Sequence, residues 1–440
     1  MPNLSSLISF HNPWWLTGQL PQVLNLPFRR PVFYSILEYL HLDRIIILKG
    51  PRRTGKSTLM FQMIHELLQK NVDPARILYI PFDDPELTFS FGEILLEFEK
   101  QLGREIHQGP AVYCFFDEIQ HLENWSGYLK KYHDKKWPIK FIVSGSSASL
   151  IKRDAESLAG RTVEEIILPF TFYEFLLFHL TETEARLLQD LRESADIFKS
   201  PIPAKLSLIE RKIAILFESY FSLGGFPGLF DIHEQMLQKK LLHEDIIEKV
   251  IYRDLVNRYG IKKPDVLEKL FLYLVNQSSD ILNITSMANS LKLSREAVQD
   301  YIRYLRESYL IMLSPRYAPA IETSIRANPK VYVLDAAFMQ VFSTLPPAKR
   351  VESIVARHLF FKNISYFRNR LEVDFILRLD HQIVPVDVKF RENLYKEQLA
   401  GLKAFQKQMS YDQAVVITKN FQKMLPKINF IPAHIFLALV

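Results

Sequence analysis

Apolar residues along this chain follow two rhythms, short unbroken runs and recurrences every three or four positions. The runs at 45–48, 76–81, 111–116, 139–143 and 163–169 are rich in Ile, Val, Leu and Phe. Runs of this kind predict strands buried on both faces, as in a parallel sheet. Between them, 31–42, 57–69 and 91–102 predict helices with one apolar face. Strand alternating with helix predicts an α/β fold, a parallel sheet wrapped by helices. Residues 1–30, with Trp14, Trp15 and several prolines, predict an irregular arm packed on the next domain.

The second half changes rhythm. Residues 181–262 predict helices charged on one face, with Gly224, Gly225 and Gly228 turning the chain sharply. Helices follow at 284–291 and 295–310 about a turn at 292–294, with Ser294 as N-cap of the second and Glu296 in its first turn. On that helix Val298, Tyr301, Ile302, Leu305 and Tyr309 form the apolar face, and Arg295, Gln299, Arg303 and Arg306 recur on another. With strands at 313–317 and 330–334 the segment reads as a winged helix. Such modules bind DNA and also connect proteins, and Asp300 and Glu307 dilute the basic stripe. Further on, a helix is predicted at 351–361, strands at 364–368, 372–379 and 383–390, a helix at 397–409 and a strand at 414–418. Tight turns at 369–370 and 380–381 join the three strands.

Candidate chemistry begins after the first apolar run. Gly50, Pro51, Arg52, Arg53, Thr54, Gly55, Lys56 and Ser57, followed by Thr58, fit the spacing G-x-x-x-x-G-K-[ST] of a phosphate-binding P-loop. Backbone N–H groups must converge on phosphate oxygens there, and glycines permit the angles and the close approach. Lys56 is placed to reach the β- and γ-phosphates and Ser57 to offer a hydroxyl to Mg²⁺, at a helix N-terminus that favours negative charge. A strand before and a helix after are the context this loop requires.

The third apolar run ends in Asp117 and Glu118, the Walker B arrangement, at the carboxyl end of its strand where ligands of open α/β sheets bind. Asp117 is expected to hold Mg²⁺ through water, and Glu118 to orient or deprotonate the attacking water. This favours hydrolysis over a kinase, which needs a second-substrate site. The fourth run ends in hydroxyls, of which Ser144, or failing it Ser146, is expected to sense the γ-phosphate. Arg161 serves either as a finger on the triphosphate or as a helix cap.

Composition narrows the class. A length of 440 residues predicts roughly two to four domains. The 48% hydrophobic and 24% charged content is that of a folded globular chain. Cys114 is the single cysteine, which excludes an intrachain disulfide and fits a reducing cytoplasm. It lies in an apolar run, where a buried, inert thiol is expected. The first fifteen residues lack the pattern of a signal peptide, and the most apolar stretch, 168–180, carries Pro169, Glu174 and His179. The expectation is a cytoplasmic protein with no membrane partner. Net charge is +6, yet residues 341–440 alone hold 15 Lys+Arg against 8 Asp+Glu, an excess of +7. Either a polyanionic partner or a solvated lysine-rich surface accounts for that excess.

Those last hundred residues offer a second constellation. Asp387 and Lys389 lie two apart on one strand and so share a face, and a short turn can bring Asp374 beside them. Carboxylates from adjacent strands suit a hard divalent cation such as Mg²⁺, which activates water against a phosphodiester with support from Lys389. Surface Asp and Lys on hairpins are the plain alternative.

Taken together, the P-loop, Asp117 and Glu118, Ser144, the segment ending in Arg161, residues 170–176, Gly224 with Gly225, and Tyr252 with Arg253 and Asp254 resemble a family of bacterial and archaeal AAA-type ATPases. The resemblance covers nearly the whole chain from about residue 30. It implies ATP with Mg²⁺ as cofactors and a C-terminal domain similar to the PD-(D/E)xK nucleases. The signature there would be Glu352, Asp374, Asp387 and Lys389, with Asp387 where glutamate is commoner. The expected layout is an arm at 1–30, an ATPase core at 31–180, a helical lid at 181–263, a winged helix at 264–340 and a nuclease-like α/β domain at 341–440. The expected function is an ATP-hydrolysing switch acting on DNA, or else a nucleotide-controlled scaffold that binds a partner without cutting it. The sequence leaves open whether Arg161 acts within one subunit or across a homo-oligomer.

Overall fold

A computed structural model describes residues 3–145, 156–379, 382–392 and 396–440. The chain divides into two compact units, one ending at Leu168 and the other beginning at Pro169.

The first unit is a five-stranded parallel sheet: β1 (Ile45–Lys49), β2 (Ile77–Pro81), β3 (Val112–Asp117), β4 (Ile139–Gly145) and β5 (Thr162–Ile166), in the order β2-β3-β4-β1-β5. The unbroken apolar runs follow from burial on both faces. Ile45 and Ile47 of β1 enter one core with Leu78, Cys114, Phe116 and Val143. Ile46 and Leu48 enter the other with Ile77, Phe115 and Ile142. Successive side chains of a strand point to opposite faces, so a sheet covered on both sides keeps the middles of its interior strands apolar, and the polar residues Lys49, Asp117, Lys140 and Ser144 fall at or next to strand ends.

The helix Lys56–Gln69 follows the P-loop directly. Phe91–Leu102 begins with a capping box between Ser90 and Glu93 and ends at left-handed Gly103.

The stretch expected to be an irregular arm is helical at Leu4–His11 and Trp14–Thr17. It covers β2, an edge strand of the sheet. The Asn12 side chain donates to Tyr79 O (2.9 Å) and accepts from Tyr79 N (2.7 Å), as a neighbouring strand would. The indoles of Trp14 and Trp15 both donate to Ile77 O, at 3.0 and 2.8 Å. An exposed sheet edge invites pairing with another chain, and these side chains occupy it.

The second unit opens with Phe172–His179 and Glu182–Ser194, both started by capping boxes, followed by Glu210–Leu223. Gln235–Leu242 continues into a π-wound segment, His243–Leu255. Pro264–Asn276, Ile284–Leu291 and Arg295–Glu307 precede an antiparallel ladder of β6 (Ile311–Ser314) and β7 (Lys330–Val333).

After the helix Pro347–His358 comes a mixed sheet: β8 (Ser365–Asn369), β9 (Leu371–Leu379), β10 (Gln382–Lys389), β11 (Ala414–Thr418), β12 (Lys423–Leu425) and β13 (Ile428–Pro432), ordered β12-β13-β11-β10-β9-β8. The pairs β8/β9 and β9/β10 are antiparallel, and β10/β11 and β11/β13 are parallel. The helix Ala400–Gln406 is shorter than the span expected at 397–409. The turn expected at 380–381 lies outside the described residues. The α/β expectation is borne out in both units, by a parallel sheet in one and a mixed sheet in the other.

Candidate functional sites

The P-loop leaves β1, an interior strand, at its carboxyl end. Gly50 has φ +151°, and a Cβ there would lie 2.2 Å from Ile167 O, so no side chain fits. Gly55, with φ +93°, is the residue before the helix, and Arg53 also has positive φ. Lys56 is buried, and its ammonium donates to Gly50 O (3.1 Å) and Pro51 O (2.8 Å). The loop thus curls around its own cation, the group that would meet phosphate oxygens. Thr54 is buried and donates to Pro51 O at 3.0 Å. Pro51 is buried, Arg52 and Thr58 are half-buried, and Arg53 and Ser57 are exposed. Arg30, which carries no sequence signal, donates to Thr54 O at 3.0 Å and braces the loop from outside.

Asp117 ends β3 at the same edge of the sheet. Its Oδ1 accepts from the Ser144 hydroxyl and from Glu118 N (3.2 Å), and its Oδ2 accepts from the Tyr79 hydroxyl at 2.9 Å. Ser144 Oγ also accepts from Glu118 N at 3.1 Å, so one serine on β4 fixes both acidic positions. Glu118 sits at φ +47°, and its carboxylate accepts from the Gln120 side chain. Asp83, just past β2, is a further carboxyl at this edge, raised by burial and by the charges of Glu118 and Asp117. Tyr79 is pushed far above its usual range by burial and by Asp117, so it stays a neutral donor.

The donor set fits a magnesium nucleotide: an ammonium, an exposed hydroxyl at a helix start and a buried carboxylate, all at one sheet edge. Sequence reasoning missed Tyr79 and Asp83. A tyrosine within an apolar run reads as core, and a lone aspartate just past a strand reads as an ordinary turn residue.

Arg161 lies elsewhere. It precedes β5, and its carbonyl accepts from Ile45 N, at the start of β1. The P-loop is at the other end of that strand, a separation on the order of 15 Å. Its guanidinium pairs with Asp134 through Nε (2.6 Å) and Nη2 (3.1 Å). Arg161 is thus set apart from the P-loop of its own chain, and it closes the short turn Glu156–Leu158 before β5, its N–H donating to Leu158 O at 2.9 Å and its guanidinium to Ala159 O at 3.2 Å. Ser146 lies outside the described residues.

The second constellation also assembles, around a residue that sequence reasoning passed over. Glu352 on Pro347–His358, Asp374 on β9, and Asp387 and Lys389 on β10 meet in one cluster. Asp374 Oδ2 accepts from Val388 N (2.9 Å), and Lys389 Nζ pairs with Asp387 Oδ1 (2.7 Å).

The missed residue is Lys330 of β7, which is 1% exposed. Its Nζ lies 2.9 Å from Glu352 Oε1, 3.2 Å from Asp374 Oδ1 and 2.5 Å from Glu372 Oε1. Tyr332, also on β7, donates to Glu352 Oε1 at 2.9 Å.

Burial works against the Lys330 charge, but Tyr332, Glu352, Asp374 and Glu372 outweigh it and hold the ammonium well above its usual range. Burial, and then Asp374, push Glu352 up to about 8. Asp387 is raised well above the carboxylate range, by burial first and by Asp374 second. Its Oδ2 is buried without a donor, a place for the proton such an acid retains. The available signal was alternation: Lys330 and Tyr332, like Glu372 and Asp374, are two apart on a strand and share a face.

Comparison with known proteins follows this division. Residues 42–176 match the AAA domain family, and residues 215–349 and 349–436 match two domains of unknown function, DUF8612 and DUF4143. An uncharacterized protein of Methanocaldococcus jannaschii is 28% identical over 348 residues, covering 76% of this chain and 72% of the relative. An uncharacterized protein of Haemophilus influenzae is 24% identical over 82% of this chain and 86% of its own length. Among solved structures, AMPPCP-bound DnaA from Aquifex aeolicus is similar at 16% identity, over 62% of this chain and 86% of that one. Its TM-score of 0.26 is too low to bear on function. The match to the AAA domain family takes in the parallel sheet, the P-loop and the acidic end of β3. No helix among the described residues is long and apolar enough to cross a membrane.

Proposed function

We propose that this chain is an ATP-hydrolysing molecular switch. The observation that supports it is the joint fixing of Asp117 and Glu118 by Ser144, at the sheet edge where the P-loop presents Lys56. Backbone N–H groups of the P-loop, residues 50–58, would take the phosphates. Lys56 would exchange its loop carbonyls for phosphate oxygens, and Ser57 and Asp117 would hold Mg²⁺. The ion would supply charge neutralisation between the phosphates. Glu118 orients the attacking water, and Ser144, bonded to both acidic positions, relays the state of the γ-phosphate side to them. Phosphate release from ATP without any acceptor, lost in Lys56→Ala and Glu118→Gln, is the test; turnover unchanged in both variants would refute it.

A DNA-directed output is the second reading, and it rests on a different observation. On Arg295–Glu307 the residues Val298, Ile302 and Leu305 are buried, whereas Arg295, Gln299, Arg303 and Arg306 are all exposed. Helix, turn, helix and a two-stranded ladder are the parts of a winged helix, with the basic face outward. Arg303 pairs with Asp300 at 2.8 Å, so part of the stripe is neutralised. In this reading the layout is an ATPase core, a helical connector, a DNA-contacting module and a C-terminal α/β domain. Replacing Arg295, Arg303 and Arg306 together by Ala should weaken duplex binding and flatten its salt dependence. Binding of unchanged strength and slope would turn the output toward a protein partner.

A further inference from the structure

We propose that the ammonium of Lys330 occupies the cation seat of the C-terminal carboxylate cluster, so that this domain takes up no divalent metal there and does not cleave phosphodiesters. The inference rests on the geometry of that cluster alone and stands whether or not the chain hydrolyses ATP.

A metal-dependent nuclease site needs carboxylate oxygens converging on an open position. A Mg²⁺ ion asks for six oxygens at about 2.0–2.1 Å, several of them from water. Here the oxygens of Glu352, Glu372 and Asp374 converge, but on a side-chain nitrogen that is already at hydrogen-bond distance from all three. The Lys330 ammonium donates to Glu352 and Asp374 and is ion-paired with Glu372, so three carboxylates already share its charge. The Lys330 side chain is 2% exposed, and it cannot swing into water while its strand stays paired with β6. Of the remaining acidic groups, Asp387 gives one oxygen to Lys389, and Asp374 gives its second to Val388 N. Among the described residues no three acidic, histidine or cysteine side chains are grouped as a metal ion requires. The carboxylates that would bind a metal are therefore present and are satisfied by the chain's own cation. A buried ion pair of this kind is stable only with its partners in place, which explains why the cluster closes so completely.

The decisive experiment is Mn²⁺ binding to the full nucleotide-free chain, followed by the electron paramagnetic resonance of free Mn²⁺. Wild type and Asp387→Asn should bind the same number of ions, because the cluster contributes none. Lys330→Gln, which removes the ammonium and keeps a polar side chain, should gain one Mn²⁺ per chain, and adding Asp374→Asn should abolish that gain. A wild-type ion that disappears in Asp387→Asn or Asp374→Asn would overturn the proposal, as would a folded Lys330→Gln chain with no additional ion. Should Lys330→Gln fail to fold, the comparison of wild type with Asp387→Asn still decides. Incubation with supercoiled DNA and Mn²⁺ gives an independent readout. Intact DNA is expected, and nicking that wild type shows and Asp387→Asn lacks would refute the assignment.

Discussion

The hydroxyl of Tyr79 lies 2.9 Å from Oδ2 of Asp117, joining the edge strand of the parallel sheet to the acidic end of its neighbour. A carboxylate expected to serve a magnesium ion is thus held on one oxygen by a phenol and on the other by Ser144. Tyr79→Phe removes that donor and leaves a buried charged oxygen without its partner. The nucleotide-free protein should lose about 1–3 kcal/mol of stability. The stabilisation gained from Mg²⁺ and ATP should increase, because the ion then satisfies an oxygen nothing else does. Thermal unfolding with and without ligand checks this; an unchanged nucleotide-free midpoint would show that the bond contributes nothing.

Hydrolysis and binding should separate by residue. Lys56→Ala removes the ammonium that faces the phosphates, and ATP binding should disappear. Glu118→Gln should bind ATP normally and turn it over slower by a factor on the order of 10². Ser144→Ala should likewise spare affinity and lower turnover, since it releases both acidic positions at once. Equilibrium titration with a fluorescent ATP analogue, beside phosphate release, distinguishes these outcomes.

A half-buried histidine gives the second unit an acid limit. His358 accepts from Phe172 N through Nε2 (2.6 Å), and its Nδ1 faces Ile354 O (2.7 Å), so the neutral ring satisfies the start of the helix Phe172–His179. Burial, and then the charge of Arg357, bring its pKa down to about 3. A depressed value means that the unfolded chain takes the proton first. The stability linked to this ring is complete above about pH 6.5 and is lost as pH falls toward 3. At pH 5 the loss should be on the order of 2 kcal/mol, at 1.4 kcal/mol per pH unit. Urea midpoints at pH 7 and 5 should differ less in His358→Gln than in wild type, and equal differences would remove His358 from the account.

Gly225→Ala should damage the fold without touching any chemical group. A Cβ there would lie 2.1 Å from Phe170 O, a backbone atom that cannot turn aside. Gly225 N donates to Asp335 at 2.8 Å, and Phe170 N donates to Gly225 O at 2.7 Å, so the two segments touch backbone to backbone. A cost of about 2–3 kcal/mol is expected from such overpacking. Denaturant unfolding measures it, and a change below about 0.5 kcal/mol would mean the neighbours yield.

What the sequence showed, and what it hid, divides by range. The helix Phe91–Leu102 and the strand Ala414–Thr418 were legible to the residue, because their ends carry local signals and their interiors a clear period. The phosphate loop was legible because glycine is forced at fixed positions. The helix Trp14–Thr17 was not, being too short for any period to show. The strand β12 is exposed throughout and has no apolar pattern to read. Gly224 and Gly225 were visible as a turn, but their reason is the approach of Asp335 and Phe170, far away in sequence. Lys330 was hidden for a similar cause. A lysine in a strand reads as surface, and only the fold reveals the carboxylates that gather around it.

Lys330 also sets where the chain can be cut. The ammonium comes from the ladder that precedes the helix Pro347–His358, while its carboxylate partners come from that helix and from β9. A fragment starting at 341, the boundary that the sequence suggests, or at 349, where the last family match begins, would inherit the negative charges and leave their counter-ion behind. Such a piece would have to take up protons or a foreign cation to bury the same carboxylates, and its behaviour toward metals would describe the truncation rather than the protein. A block that keeps this cluster whole, in expression trials or in any recombination, has to begin at or before Ile311, so that the strand carrying Lys330 retains its β6 partner.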